Sequence, residues 1–104
     1  MSHRKLIEEA WDNREMLNDP SVQDTIREVI DQLDTGKLRV AEKIDNSWKV
    51  NDWIKKAVIL YFPIQKMETI EVSPFEFHDK IPLKSGYKQK GVRVVPHAIA
   101  RHGA

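Results

Sequence analysis

The sequence predicts an α+β fold: a mainly helical N-terminal domain of three helices, with a small β-hairpin and a short C-terminal strand. Three observations carry this reading. Two apolar stripes with helical spacing precede Gly36, the apolar period then drops to two, and a third helical segment between Asn51 and Pro63 is apolar over most of its surface. The 104 residues fit one domain, divided here into residues 1–90, with the hairpin near 38–50, and residues 91–104, a strand and the start of a junction.

The elements follow in order. Ser2 caps a first helix in which Leu6, Ile7, Ala10, Trp11 and Leu17 share a face, and the segment stops near Asn18-Asp19-Pro20. Ser21 begins a second helix, with Asp24 forming a weak capping box. Val22, Ile26, Val29, Ile30 and Leu33 form its stripe, and Gly36 supplies a left-handed stop. Leu38, Val40 and Ile44 then alternate with polar residues, Asp45-Asn46-Ser47 is turn chemistry, and Trp48-Lys49-Val50 returns as a strand. Asn51 or Asp52 caps the third helix, whose Trp53, Ile54, Ala57, Val58 and Tyr61 lie on one face, and Pro63 ends or kinks it. Glu71-Val72-Ser73-Pro74 reads as a loop, Phe75 and Phe77 as a short extended piece, Asp79 to Lys84 as irregular, and Ser85-Gly86 as a turn. Val92-Arg93-Val94-Val95 reads as a final strand stopped by Pro96.

Composition excludes several classes of function. There is no cysteine, so disulfides, thiolate metal sites and a Cys nucleophile are excluded. No run of about 18 apolar residues is present to span a membrane, and Met1 to Glu9 lacks the apolar region of a secretory signal, so the expected location is cytoplasmic. The histidines, His3, His78, His97 and His102, lack metal-ligand spacing and are expected to be scattered on the surface. There is no Gly-x-Ser-x-Gly elbow and no glycine-rich phosphate cradle. Glu8-Glu9 and Asp31/Asp34 read as solvated helix acids.

A net charge of +1 hides an asymmetry. The first 52 residues carry 8 basic and 12 acidic side chains, and the remainder 9 and 4. From Lys80 onward Lys80, Lys84, Lys88, Lys90, Arg93 and Arg101 occur with no acid, a pattern that points to an anionic partner or to a solvated basic face. Tyr87 is the one aromatic among these cations, which is thin interleaving, so nucleic acid is disfavoured as the partner. Arg93 differs in kind. It stands between β-branched residues, where a guanidinium is either a bidentate grip for a carboxylate or phosphate, or an exposed side chain on an edge strand.

Longer ordered stretches carry a resemblance. Leu33 to Asp45, Trp48, Trp53 to Leu60, Asp79 to Lys84, Gly91 to Pro96 and Ala100 to Ala104 resemble, in the same order, the N-terminal region of bacterial tetrahydrodipicolinate N-succinyltransferase, and Gln65 to Phe77 fits least well. The resemblance implies transfer of a succinyl group from succinyl-CoA, as co-substrate, to the amine of tetrahydrodipicolinate on the route to diaminopimelate and lysine. It implies a homotrimer in which a helical N-terminal domain precedes a left-handed parallel β-helix. The family's substrate-binding arginine falls on Arg93, with no catalytic residue and no metal ligand within these residues. The family's β-helix is absent here, because the sequence stops at Gly103-Ala104, where that element would begin. The expectation is a fragment, inactive by itself, since acyl transfer needs nucleophile, base and thioester held together. A non-catalytic anion-binding or assembly module is the alternative.

Overall fold

The computed structural model describes residues 2–104. Ser2 caps α1 (His3–Asp12), its hydroxyl accepting from the Lys5 N–H at 3.2 Å. The expected continuation to Leu17 breaks at Asn13, and Arg14–Asn18 is a separate 3₁₀ turn. Arg14 folds back there: its Nε donates to the Trp11 carbonyl and its guanidinium stacks 4.5 Å above the Trp11 ring. α2 (Pro20–Thr35) starts one residue earlier than Ser21 predicts. Asp19 is the cap, accepting from the Ser21 N–H at 2.9 Å, and Pro20 fills the first helical position, where a missing N–H costs nothing. Gly36 ends α2 in the left-handed conformation at φ 82°, as expected.

β1 (Ala41–Ile44) and β2 (Ser47–Val50) form the predicted antiparallel hairpin, with Lys43 opposite Trp48 and Asp45-Asn46 at the turn. Leu38 and Val40 lie before the ladder rather than in it. α3 (Asp52–Ile64) keeps Pro63 inside its last turn. The freed carbonyls at that end are taken by cations: Arg27 donates to the Ile64 carbonyl at 3.0 Å and Lys80 to the Phe62 carbonyl at 3.1 Å.

Two sequence expectations need correction beyond α3, and one helical turn adds to them. Glu68–Val72 and Phe75–Asp79 are strands β3 and β4 of a second antiparallel hairpin, not a loop and an isolated extended piece. Its register puts Ile70 and Val72 beside Phe77 and Phe75 on one face. Tyr87–Lys90 is a single helical turn, α4, between the left-handed Gly86 and Gly91. Val92–Val95 is not a strand. It runs without regular structure and pairs with no strand among the described residues, so the hydrogen bonds a strand needs are not supplied.

The core lies between the three long helices. Ile7 and Ala10 of α1, Val22, Ile26, Val29 and Ile30 of α2, and Ala57, Leu60 and Tyr61 of α3 are buried together, joined by Ile81. Both hairpins stand outside this core, and Trp48 is 69% exposed. None of the described helices is long and apolar enough to cross a membrane.

The burial pattern assigns stability to the helices. Leu60→Ala, at a fully buried site, is expected to cost about 2–5 kcal/mol in urea unfolding. Trp48→Ala is expected to stay within about 0.5 kcal/mol of wild type. A larger loss at Trp48 than at Leu60 would place the core elsewhere.

Candidate functional site

The C-terminal segment is held by a clasp that the sequence does not advertise. Asp34, in the last turn of α2, has a side chain only 15% exposed. Its Oδ1 accepts from Lys84 Nζ at 2.6 Å and from the Gly103 N–H at 2.9 Å. Lys84 also donates to the Asp34 backbone carbonyl at 2.9 Å. His102 lies between two acids, with Nε2 2.7 Å from Asp31 Oδ1 and Nδ1 3.5 Å from Asp34 Oδ2. Burial would raise the Asp34 carboxyl. The Lys84 ammonium, the Gly103 N–H and His102 outweigh that cost and hold it below the ordinary value of 3.8. Thus Asp34 is no solvated helix acid, and Glu8 is likewise paired, with Lys56 at 2.7 Å.

Two backbone hydrogen bonds extend the clasp. The Lys84 N–H donates to the Ala100 carbonyl and the His102 N–H to the Pro82 carbonyl. Arg101 adds an ion pair with Asp79 at 3.0 Å and stacks 5.3 Å above the Phe62 ring. The carboxyl of Asp79 is lowered by the Lys80 N–H first and by Arg101 second.

Between α4 and this clasp the chain rises as an arch, and Arg93 stands on it. Gly91, at φ 68°, starts the arch, and the Val92 N–H donates back to the Tyr87 carbonyl at 2.9 Å. Arg93 is exposed, with no ion pair and no side-chain hydrogen bond among the described residues. It lines a pocket of about 330 Å³ with Tyr87, Val92, Val94, Val95, Ile99 and two alanines, and is the only charged side chain in that lining. Of the other basic side chains from Lys80 onward, four are engaged inside the fold: Lys80 with Phe62, Lys84 with Asp34, Lys90 with the Ser85 carbonyl and Arg101 with Asp79. The basic end is therefore mostly structural; Lys88 and Arg93 are its exposed cations without a partner among the described residues, and of the two Arg93 lines the apolar pocket.

The histidines separate in the same way. His102 belongs to the clasp, His97 meets Phe75, His78 Nδ1 lies 2.9 Å from the Thr69 hydroxyl, and His3 is 3.4 Å from Glu28. The described residues contain no cluster suited to a metal ion. The Asp34–Lys84 pair was missed because 50 residues separate its members. The one available sign was an unneutralised lysine in a segment without acids.

Among protein classes, this is a small helix-rich α+β domain: a three-helix core carrying two antiparallel hairpins and a clasped C-terminal arch. Residues 2–64 match the family described as tetrahydrodipicolinate N-succinyltransferase N-terminal, and the chain belongs to that family. Curated relatives named 2,3,4,5-tetrahydropyridine-2,6-dicarboxylate N-succinyltransferase extend the likeness. One from Bordetella pertussis is 45% identical over 94% of this chain and 40% of its own length. One from Pseudoalteromonas translucida is 41% identical over 97% and 40%. One from Legionella pneumophila is 45% identical over 99% and 41%. The chain thus spans about two fifths of the length of the relatives it matches. The family match ends where α3 ends, so the clasp and the arch are covered by the relatives alone.

The clasp has a pH signature with a defined sign. Asp34 has a folded-state value below its ordinary one, so its contribution is complete above about pH 4 and fades as pH falls through the folded value. The stability gap between wild type and Asp34→Asn should be widest near neutrality and narrow in acid. Lys84→Met should move the Asp34 carboxyl midpoint upward in a carbon-13 titration and speed Gly103 amide exchange roughly five- to tenfold. An unmoved Asp34 midpoint would show that Lys84 does not hold it.

Proposed function

We propose that these residues form the N-terminal, substrate-binding and trimer-associated domain of a cytoplasmic acyltransferase. In this reading the whole enzyme transfers succinyl from succinyl-CoA to tetrahydrodipicolinate, in diaminopimelate and lysine biosynthesis. The observation that carries the reading is the likeness, over 94–99% of this chain, to relatives bearing that enzyme's name.

Arg93 is the residue assigned to the acceptor. A guanidinium presents a planar fork of donors that matches a carboxylate in a bidentate grip. The acceptor for which the relatives are named is a dicarboxylate. The surroundings support the assignment: Val92, Val94, Val95 and Ile99 offer apolar contact to a carbon skeleton whose carboxylate meets the cation. No neighbouring acid competes for Arg93 in the pocket lining. In contrast, the nucleic-acid reading is weakened by the internal engagement of Lys80, Lys84, Lys90 and Arg101.

Coverage supports a division of labour. The relatives extend well beyond the matched region, and the amine-activating base and the succinyl-CoA contacts are assigned to that further part. Arg93 contributes binding and orientation, holding one carboxylate so that the acceptor nitrogen is presented to the thioester.

Titration with pimelate, a seven-carbon dicarboxylate, tests the assignment. Arg93→Ala should weaken binding by at least about tenfold, and Arg93→Lys should recover only part of the loss. Equal affinity in all three proteins would remove Arg93 from the site. The purified 104-residue chain should show no succinyl-CoA-dependent turnover, followed by release of the CoA thiol. Turnover by this polypeptide would refute the division of labour.

A further inference from the structure

Arg93 has no bond of its own to hold it, so its direction depends on the arch beneath it. The arch is fixed at its two feet, by the Val92 N–H on the Tyr87 carbonyl and by the clasp at Ala100 to Gly103. Gly91 at the first foot holds a left-handed φ of 68° and donates its N–H to the Lys88 carbonyl at 3.2 Å. Between the feet, residues 93–99 make no backbone hydrogen bond outside the arch among the described residues, so the chain there can rotate about the line between them.

One aromatic contact opposes that rotation. The His97 ring meets the Phe75 ring edge-on, with centroids 4.9 Å apart and planes at 88°. Phe75 begins β4, opposite Val72, so the contact joins the arch to the second hairpin. His97 also holds φ at 78°, a conformation that a residue with a Cβ adopts at a cost. The Ala98 N–H closes a turn around it onto the Val95 carbonyl at 2.9 Å. A non-glycine residue kept in that region by a ring contact and a closed turn marks a shape the surroundings enforce.

We infer that Phe75 and His97 are positioning residues for Arg93: their contact ties the arch to the second hairpin and aims the guanidinium over its pocket. The inference rests on the carboxylate-binding role of Arg93 proposed above. Phe75 touches no substrate in this arrangement. It acts through His97, four residues along the chain from Arg93.

The test uses the 104-residue protein and two readouts, the exchange rate of the Ala98 amide and the affinity for pimelate. Phe75→Ala should speed Ala98 exchange and weaken pimelate binding, each about three- to tenfold, the range set by an edge-to-face pair. Phe75 is 44% exposed, so the substitution leaves the helical core intact. His97→Asn is the second variant, since Asn tolerates the left-handed backbone but lacks the ring, and it should behave as Phe75→Ala does. Phe75→Tyr keeps an edge-on partner and should restore both readouts. Arg93→Ala should weaken pimelate binding by at least about tenfold while leaving Ala98 exchange at the wild-type rate. Unchanged exchange in Phe75→Ala and His97→Asn would overturn the tether. Faster exchange with unchanged pimelate affinity would reduce the contact to a structural one and overturn the positioning role. Failure of the wild type to bind pimelate would overturn the carboxylate reading instead, and an Ala98 rate that still responds to Phe75→Ala tells that failure from loss of the tether.

Discussion

Asp34, in the last turn of α2, accepts hydrogen bonds from Lys84 and Gly103, groups that lie 50 and 69 residues further along the chain. A carboxylate with so little solvent needs those donors, because an unpaired charge there would be costly. The donors in turn need the carboxylate, since the residues after Lys84 bury almost no side chain of their own. The dependence therefore runs both ways. The helices fix Asp34, Asp34 fixes Lys84 and Gly103, and the arch that carries Arg93 inherits its feet from them. The clasp is built from charge and hydrogen bonds because this part of the chain lacks the apolar surface to anchor itself by burial.

The helical half of the fold was readable residue by residue. Val22, Ile26, Val29 and Ile30 lie on the buried face that their spacing predicts, and Gly36 stops α2 where a left-handed residue was needed. Such signals are local and repeat every turn. The second hairpin was equally present in the sequence, as the alternation of Ile70, Val72, Phe75 and Phe77 across Ser73-Pro74. It was passed over because the proline was read as a break in a loop rather than as the turn of a hairpin. The Val92–Val95 reading failed for a different reason. β-branched composition expresses a preference for extended backbone, but a strand exists only where a neighbour completes its hydrogen bonds, and composition says nothing about neighbours. The clasp was invisible to any local rule, since its members are far apart. Arg93 itself was singled out by residue type and by resemblance. Its exposure over an apolar pocket is a property of the folded arch alone.

Charge within this chain is used in two different ways. Arg27 and Lys80 serve the carbonyl end of α3, and Lys84 and Arg101 serve acids on or near the core. These cations are spent on architecture, each answering a polar group that the helix ends and turns leave open. Arg93 answers nothing within the described residues and faces apolar side chains with its guanidinium free. The distinction matters for any reading based on net charge. The basic character of the last 25 residues shrinks considerably once internal partners are assigned, to Lys88 on α4 and Arg93 at its pocket.

The sequence separation of the clasp has a consequence for how the domain assembles. Closing a loop of 50 or 69 residues is entropically unfavourable until helix packing has already brought its ends together. Pairing of α1 with α3 spans a comparable separation, 48 residues between Glu8 and Lys56, but it is driven by the apolar surface the three helices bury together and so can proceed first. Lys84 and Gly103 can then find Asp34 on a surface that is already formed. The arch is therefore the last part of the molecule to acquire its shape and the first to lose it. A synthesising ribosome would release all three helices as a folded body well before the segment that bears Arg93 had a place to attach.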